Sequence, residues 1–135
     1  MKHSFKHSVT ALAAAMALTL VADAFAEDAN PKRGRVYFKM VCTVCHVSEA
    51  GQAIPPMTRS MAEWAAYMDA DVHAASGTAN PAVSYYVSKE YRSSIADSNK
   101  AAAKFGKLPE AQLQADVKAF LVSGAKDSDT PASCQ

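Results

Sequence analysis

The sequence has 135 residues, a formal net charge of +1 at pH 7 and a hydrophobic fraction of 50%. This length is enough for one small domain, and the near balance of acidic and basic side chains argues against a nucleic-acid-binding protein, which carries a basic excess. The three cysteines form one C-x-x-C pair plus Cys134, so a zinc site built from two such pairs is excluded.

The first 26 residues have the pattern of a secretory signal peptide. A basic start with Lys2 and Lys6 precedes an apolar run over 9–21, and Ala24-Phe25-Ala26 fits a small-x-small cleavage site. The run is shorter than the about 20 apolar residues of a transmembrane helix, and no later stretch is a better candidate. We therefore expect export to the periplasm and a mature chain without a membrane span, with 109 of the 135 residues.

An apolar stripe predicts the first helix of the mature chain. Asn30 suits the N-cap, and Pro31 suits the first helical position. The stripe then recurs at i, i+3, i+4 and i+7 and brings the chain to Cys42 as a helix. Its members are Gly34, Tyr37, Phe38 and Val41.

Two longer helices have marked ends. Ser60 and Glu63 form a capping box that opens a helix, which we expect to end near Asp71. Pro109 opens the last helix and Gly124 closes it. The residues predicted to share one face are Met61, Trp64, Ala65 and Met68 in the first of these helices, and Leu113, Val117, Phe120 and Leu121 in the second.

The remaining segments predict short helices and a tail. One helix starts at Asn80-Pro81 and runs to about Glu90, and another covers 97–105. Strand-type alternation is absent, so the predicted fold class is all-α. We expect residues 27–126 to form one domain and 127–135 to form a polar, extended C-terminal tail.

Residues 41–46 read Val-Cys-Thr-Val-Cys-His and contain C-x-x-C-H, the attachment signature of c-type haem. In such a motif the thiols of Cys42 and Cys45 add to the two vinyl groups of one porphyrin edge, and His46 is the proximal ligand of the iron. One short segment thus supplies two covalent anchors and one axial ligand for a single haem c. The axial ligands set the reduction potential and decide between electron transfer and gas binding.

A C-x-x-C pair also occurs in dithiol oxidoreductases, which are the alternative interpretation of this motif. A thioredoxin-like dithiol follows a strand in a βαβ pattern, whereas the run before Cys42 is predicted to be a helix. The haem interpretation is therefore favoured. Cys134 then has no intramolecular partner, and it either stays a free thiol or forms a disulfide-linked dimer.

The order of these features resembles a class I cytochrome c. The resemblance rests on Gly34 and Phe38 before the haem motif, on Pro55-Pro56 after it, and on Phe120 in the final helix. It implies a small helical domain wrapped around one haem, with the first and last helices crossing at the glycine and aromatic rings filling the crossing. It also implies that a proline carbonyl accepts a hydrogen bond from the proximal imidazole. Segments near 61–73 and 127–134 further resemble a group of small, secreted monohaem cytochromes.

The resemblance does not settle the distal ligand. Family members usually supply a methionine from the loop before the last helix, but no methionine follows Met68. We favour His73, because it is the only histidine of the mature chain besides His46. Met61 and Met57 are the next candidates, Met68 follows them, and an open or partner-supplied sixth position is the remaining alternative.

The predicted function is electron transfer by a non-enzymatic carrier that exchanges electrons with unidentified redox partner proteins. Lys100, Lys104 and Lys107 either steer an acidic partner or form a solvated helix face. The alternatives are a haem-based sensor or peroxidase-like enzyme with an open distal site, and a C-x-x-C dithiol oxidoreductase.

Overall fold

A computed structural model describes residues 28–48, 53–73 and 77–132, so the predicted signal peptide and Cys134 lie outside the described residues. Within these ranges the chain is helical and has no strand, which confirms the predicted all-α class. The elements are α1 (Pro31–Tyr37), a π-helical segment (Phe38–Cys42), α2 (Thr43–Ser48), a 3-10 turn (Pro56–Thr58), α3 (Met61–Ala70), α4 (Val83–Val87), α5 (Lys89–Ser94), α6 (Lys100–Phe105) and α7 (Glu110–Ser123).

The first and last helices cross in direct backbone contact. A Cβ atom added to Gly34 would collide with the backbone carbonyl of Asp116 in α7. The rings of Phe38 and Phe120 fill the same crossing, with centroids 5.5 Å apart. The close approach expected from the sequence is therefore present, and it requires a residue without a side chain at position 34.

The helix that begins after Asn30 does not end at Cys42. Asn30 caps α1 by accepting from the Arg33 backbone N–H at 3.1 Å, as predicted. The chain then widens into the π-helical segment, where the Thr43 N–H donates to the Phe38 carbonyl, and continues into α2. The C-x-x-C-H motif therefore starts in a π-helical turn, a feature that is frequent at functional sites.

Helix α3 has the predicted capping box. The Ser60 N–H donates to the Glu63 carboxylate at 2.7 Å, and the Glu63 N–H donates to the Ser60 hydroxyl at 3.2 Å. The helix ends at Ala70, before Asp71 in the left-handed conformation. Trp64 and Met68 are buried, whereas Met61, one turn earlier on the same side of the helix, is 39% exposed, so the predicted face is buried only from Trp64 onwards. The Met61 N–H donates to the Asp127 carboxylate at 2.7 Å.

The region 80–105 contains three short helices where two were predicted. The helix is interrupted at Ser88, which has an extended backbone. The Ser88 side chain caps α5 by accepting from the Tyr91 N–H. Asn80 accepts from the Ala82 N–H and precedes α4 without starting it. Asn99 is the N-cap of α6, because its side chain accepts from two N–H groups of the first turn.

The end of the chain packs on the domain as far as Ala132. Helix α7 begins at Glu110 and is followed by Gly124, close to the predicted ends. The Ala132 N–H then donates to the Gly124 carbonyl at 2.9 Å, and the Ala132 carbonyl accepts from Met57 at 3.2 Å. The tail predicted for 127–135 is therefore anchored over its described part.

Among the residues that the structure describes, two charged side chains are buried. Asp116 joins α7 to the start of α1, because it pairs with Arg33 and accepts from the Asn30 N–H at 2.7 Å. Arg92 donates to three backbone carbonyls, those of Ser88, Phe105 and Leu108. Among the described residues no helix is long and apolar enough to cross a membrane.

Candidate haem site

A cavity of about 890 Å³ lies between the C-x-x-C-H motif and the loop before α4. Its volume falls within the about 300–1,000 Å³ range of small-molecule and cofactor sites. Cys42, Cys45, His46 and His73 all line it. Its walls are mainly apolar and aromatic and include Phe38, Val41, Trp64, Met68, Val117 and Leu121. The structure therefore brings the three motif residues and the favoured distal histidine to one cavity.

The rings of His46 and His73 are close to each other in this cavity, with centroids 5.7 Å apart and planes at 62°. His46 is held by α2 within the motif. His73 follows α3, and its backbone N–H donates to the Pro81 carbonyl at 2.6 Å. Its ring lies against Tyr86, with centroids 5.0 Å apart. Backbone and ring contacts thus fix the position of His73.

The Nδ1 atom of His73 is buried and has no hydrogen-bond partner. Leaving a buried polar atom unsatisfied costs about 1–3 kcal/mol. A hydrogen-bonding group or a water molecule that reaches Nδ1 would remove this cost. The other ring nitrogen, Nε2, is the atom through which an imidazole binds haem iron.

The spacing of the two rings agrees with a single metal ion between them. Metal–imidazole bonds of about 2 Å on opposite sides of one ion separate the ligating nitrogens by about 4 Å and the ring centroids by about 6 Å. The observed centroid distance is 5.7 Å. The distance between the rings is therefore compatible with both imidazoles binding one iron, and Cys42 and Cys45 line the same cavity.

The methionine candidates differ in position. Met57 and Met61 are 44% and 39% exposed and lie outside the cavity wall. Met68 is 2% exposed and belongs to the wall, packed in the core beside Trp64. The geometry therefore favours His73 as the distal ligand. Among the methionine candidates only Met68 lines the cavity, and the positions of Met57 and Met61 do not support either of them as a ligand.

The electrostatics of the motif suit metal binding better than dithiol chemistry. Burial, and secondarily the nearby His73, lowers the pKa of His46, which favours the neutral imidazole that binds metals. Burial, and secondarily Cys45, raises the pKa of Cys42 to about 12. Reactive dithiols have lowered thiol pKa values, so the surroundings of Cys42 oppose that alternative.

Tyrosines form a wall that the sequence analysis did not assign to the site. Tyr85, Tyr86 and Tyr91 line the cavity, and their ring centroids are 5.1–5.3 Å apart in each pairing. The Tyr37 hydroxyl donates to the Tyr86 carbonyl at 2.5 Å, and the Tyr86 hydroxyl accepts from the Asn80 N–H at 2.7 Å. Three tyrosines within seven residues were the available signal, but spacing alone did not show which way they face.

Arg59 places a cation beside the cavity. Its guanidinium lies 5.4 Å from the Trp64 ring centroid and 5.1 Å from that of Tyr67, and all three residues line the cavity. The Trp64 indole donates to the Pro56 carbonyl at 2.6 Å, and the Pro55 carbonyl accepts from Thr58. Among the described residues, no hydrogen bond joins the His46 imidazole to the carbonyl of Pro55 or Pro56, the contact implied by the resemblance.

Within the three described ranges, no group of three or more His, Cys, Asp or Glu side chains is arranged to hold a metal ion. A haem iron needs only axial ligands from the protein, because the porphyrin supplies the other four. Comparisons of the chain with protein-family models, with curated protein sequences and with solved structures found no significant match.

Proposed function

We propose that this chain binds one haem c covalently and acts as a secreted, periplasmic electron carrier. The observation that carries the proposal is the convergence of Cys42, Cys45, His46 and His73 on one largely apolar cavity. The two cysteines would hold the porphyrin as thioethers. His46 would be the proximal ligand and His73 the distal ligand.

The chemistry that bound haem supplies is a one-electron exchange between ferric and ferrous iron. The imidazoles of His46 and His73 would hold the iron in both states, so each transfer would need little rearrangement of the protein. The Pro81 carbonyl and the Tyr86 ring hold His73 in place. Because a second imidazole stabilises ferric iron relative to methionine, we expect a lower potential than in His/Met cytochromes c.

The walls of the cavity would exclude water from the haem and so affect its reduction potential. Trp64 and Met68 are 3% and 2% exposed, and Val117 and Leu121 of α7 are each 3% exposed. Surroundings of low dielectric constant disfavour the oxidation state of the haem with the higher net charge, and they thereby tune its reduction potential. Arg59 offers a positive charge that complements the two carboxylates of a haem group.

The test is the spectrum of the mature protein, made in cells competent for cytochrome c maturation. We expect the denatured polypeptide to keep one haem, and the native protein to be low-spin, six-coordinate and unresponsive to carbon monoxide. His73→Ala should become high-spin and bind carbon monoxide readily. Met68→Leu, which keeps the volume of the wall, should leave the near-infrared signature of bis-histidine ligation unchanged.

Three results would contradict the proposal in different ways. A colourless polypeptide of unmodified mass would exclude covalent haem and return the chain to the dithiol alternative. A haem-bearing wild type that is already high-spin would instead support the open-site sensor or peroxidase-like alternative. An unchanged spectrum in His73→Ala would show that another residue is the distal ligand.

A further inference from the structure

The segment that carries His73 leaves α3 through an uncommon backbone conformation. The helix ends at Ala70, and Asp71 follows with φ 51° and ψ 34°, in the left-handed region. Within the described ranges it is the one residue other than glycine with a positive φ. This conformation is unfavourable for most side chains, and aspartate and asparagine tolerate it best. Residues in such conformations cluster at ligand sites, where surrounding contacts impose them.

Both carboxylate oxygens of Asp71 accept hydrogen bonds from one residue of α4. The Ser84 backbone N–H donates to Oδ1 at 2.6 Å, and the Ser84 hydroxyl donates to Oδ2 at 2.6 Å. Ser84 lies in the first turn of α4, where backbone N–H groups have no acceptor within the helix. Ala82, at the N-cap position, supplies no side-chain acceptor. Asp71 therefore caps α4 from 13 positions away in the chain.

Helix α4 is itself fixed to the rest of the domain. Val87 is 2% exposed and belongs to the core. The carbonyl of Tyr86 accepts from the hydroxyl of Tyr37, a fully buried residue of α1. The hydrogen bonds between Asp71 and Ser84 therefore join the end of α3 to the part of the fold that leads into the C-x-x-C-H motif.

Few other contacts hold the backbone near His73. Val72 is 58% exposed, so it does not anchor the segment by packing. The His73 N–H donates to the Pro81 carbonyl, and its ring lies against Tyr86. A histidine that binds a metal usually donates its second ring nitrogen to an acceptor, which fixes the ring. Among the described residues, Nδ1 of His73 has no such acceptor, so the position of the ring depends on its backbone.

We propose that Asp71 is the positioning residue of the distal haem ligand, and that its two hydrogen bonds to Ser84 keep the His73 imidazole opposite that of His46. The inference rests on the proposed function, because it concerns an iron that His73 binds. Asp71 acts through the backbone of 71–73. Without its carboxylate, His73 would be held by Pro81 and Tyr86 alone, and the sixth coordination position would be open in a larger fraction of molecules.

The experiment measures cyanide binding to the ferric, haem-bearing protein. Cyanide reaches the iron only while His73 is displaced, so its apparent affinity is proportional to the open fraction. Asp71→Ala should bind cyanide about tenfold more tightly than wild type, because hydrogen bonds to a charged group are lost. Asp71→Gly should show the same change, because it relieves the left-handed backbone but also lacks the carboxylate. Asp71→Asn should stay within about threefold of wild type, because its amide oxygen still accepts from the Ser84 N–H.

Two controls alter α3 without touching the connection to Ser84. Asp69→Ala removes an exposed carboxylate two positions earlier, and Glu63→Gln weakens the capping box at the other end of the helix. Both should leave cyanide affinity within about twofold of wild type. Hydrogen exchange of the Ser84 amide is a readout independent of the iron. This amide should lose protection in Asp71→Ala and Asp71→Gly and keep it in Asp71→Asn.

Equal cyanide affinities of Asp71→Ala and Asp69→Ala would overturn the assignment. So would an Asp71→Asn variant that binds cyanide as tightly as Asp71→Ala, since the hydrogen bonds would then not be the cause. An equal gain in Glu63→Gln would show a general effect of helix stability and would also overturn it. A wild type without haem rejects the proposed function, whereas a low-spin wild type with His73 bound and unchanged Asp71 variants rejects this inference alone.

Discussion

Gly34 of α1 lies directly against the backbone carbonyl of Asp116 in α7. Replacing Gly34 with alanine should destabilise the protein by about 2–4 kcal/mol, because the added methyl group forces the two helix backbones apart. This loss outweighs the about 1 kcal/mol that alanine gains over glycine inside a helix. Denaturant unfolding of the two proteins measures the difference.

Gly106→Ala is the matched control for this substitution. A Cβ atom at Gly106 would meet only the Ala103 carbonyl, at 3.1 Å, so a small local shift suffices. We expect a change within about 1 kcal/mol. Equal effects of the two substitutions would show that the crossing of α1 and α7 tolerates a side chain.

The ion pair between Arg33 and Asp116 should contribute more to stability than the exposed pair between Lys118 and Asp69. Asp116 is fully buried, and Asp116→Ala removes the carboxylate that accepts from the Arg33 guanidinium and from the Asn30 N–H. We expect a loss of about 3–5 kcal/mol in the free energy of unfolding. Asp69→Ala, on a carboxylate whose side chain is 66% exposed, should cost no more than about 1 kcal/mol. Comparable losses would contradict the structural role assigned to Asp116.

The capping box of α3 gives a pH dependence of known sign. Hydrogen bonds from the Ser60 backbone and side chain, helped by Lys126, lower the pKa of Glu63 to about 2. Because the folded-state pKa lies below the unfolded value of about 4.3, this stabilisation is fully present above pH 4.3 and is lost as the pH falls towards 2. Glu63→Gln should therefore be less stable than wild type at pH 6, and the difference should shrink on acidification. Urea unfolding at several pH values checks this, and a pH-independent difference would contradict it.

Local signals in the sequence were enough to predict the framework of the helices. Asn30, the Ser60–Glu63 box and Gly124 act through neighbouring backbone groups, so their roles are visible without tertiary structure. Gly34 was identified through a family resemblance, and the crossing with α7 supplies its physical reason. The grouping of His46 and His73 at one cavity was also expected, although spacing alone gave no distance between them.

The remaining features depend on contacts between distant segments. Arg92 looks like a surface residue in sequence, but the carbonyls that surround it come from residues up to 16 positions away. Ala132 belongs to a polar end, yet it packs where Gly124 leaves room beside Pro56. Met61 fits the helical spacing of the apolar residues in α3 and is nevertheless exposed. The spacing shows on which side of the helix a residue lies, but not whether another segment covers it.

The haem-free chain should fold poorly, because the proposed cofactor completes the core. Trp64, Met68 and Leu121 line a cavity of about 890 Å³, and an apolar void of that size removes most of the packing on one side of each residue. A Cys42→Ala/Cys45→Ala variant, produced without haem, should have reduced helical circular dichroism and a broad, weakly cooperative melt. The haem-bearing wild type in the same buffer is the reference and should melt cooperatively. Equal helicity and an equally sharp melt in the haem-free variant would show that the protein side chains alone sustain the fold.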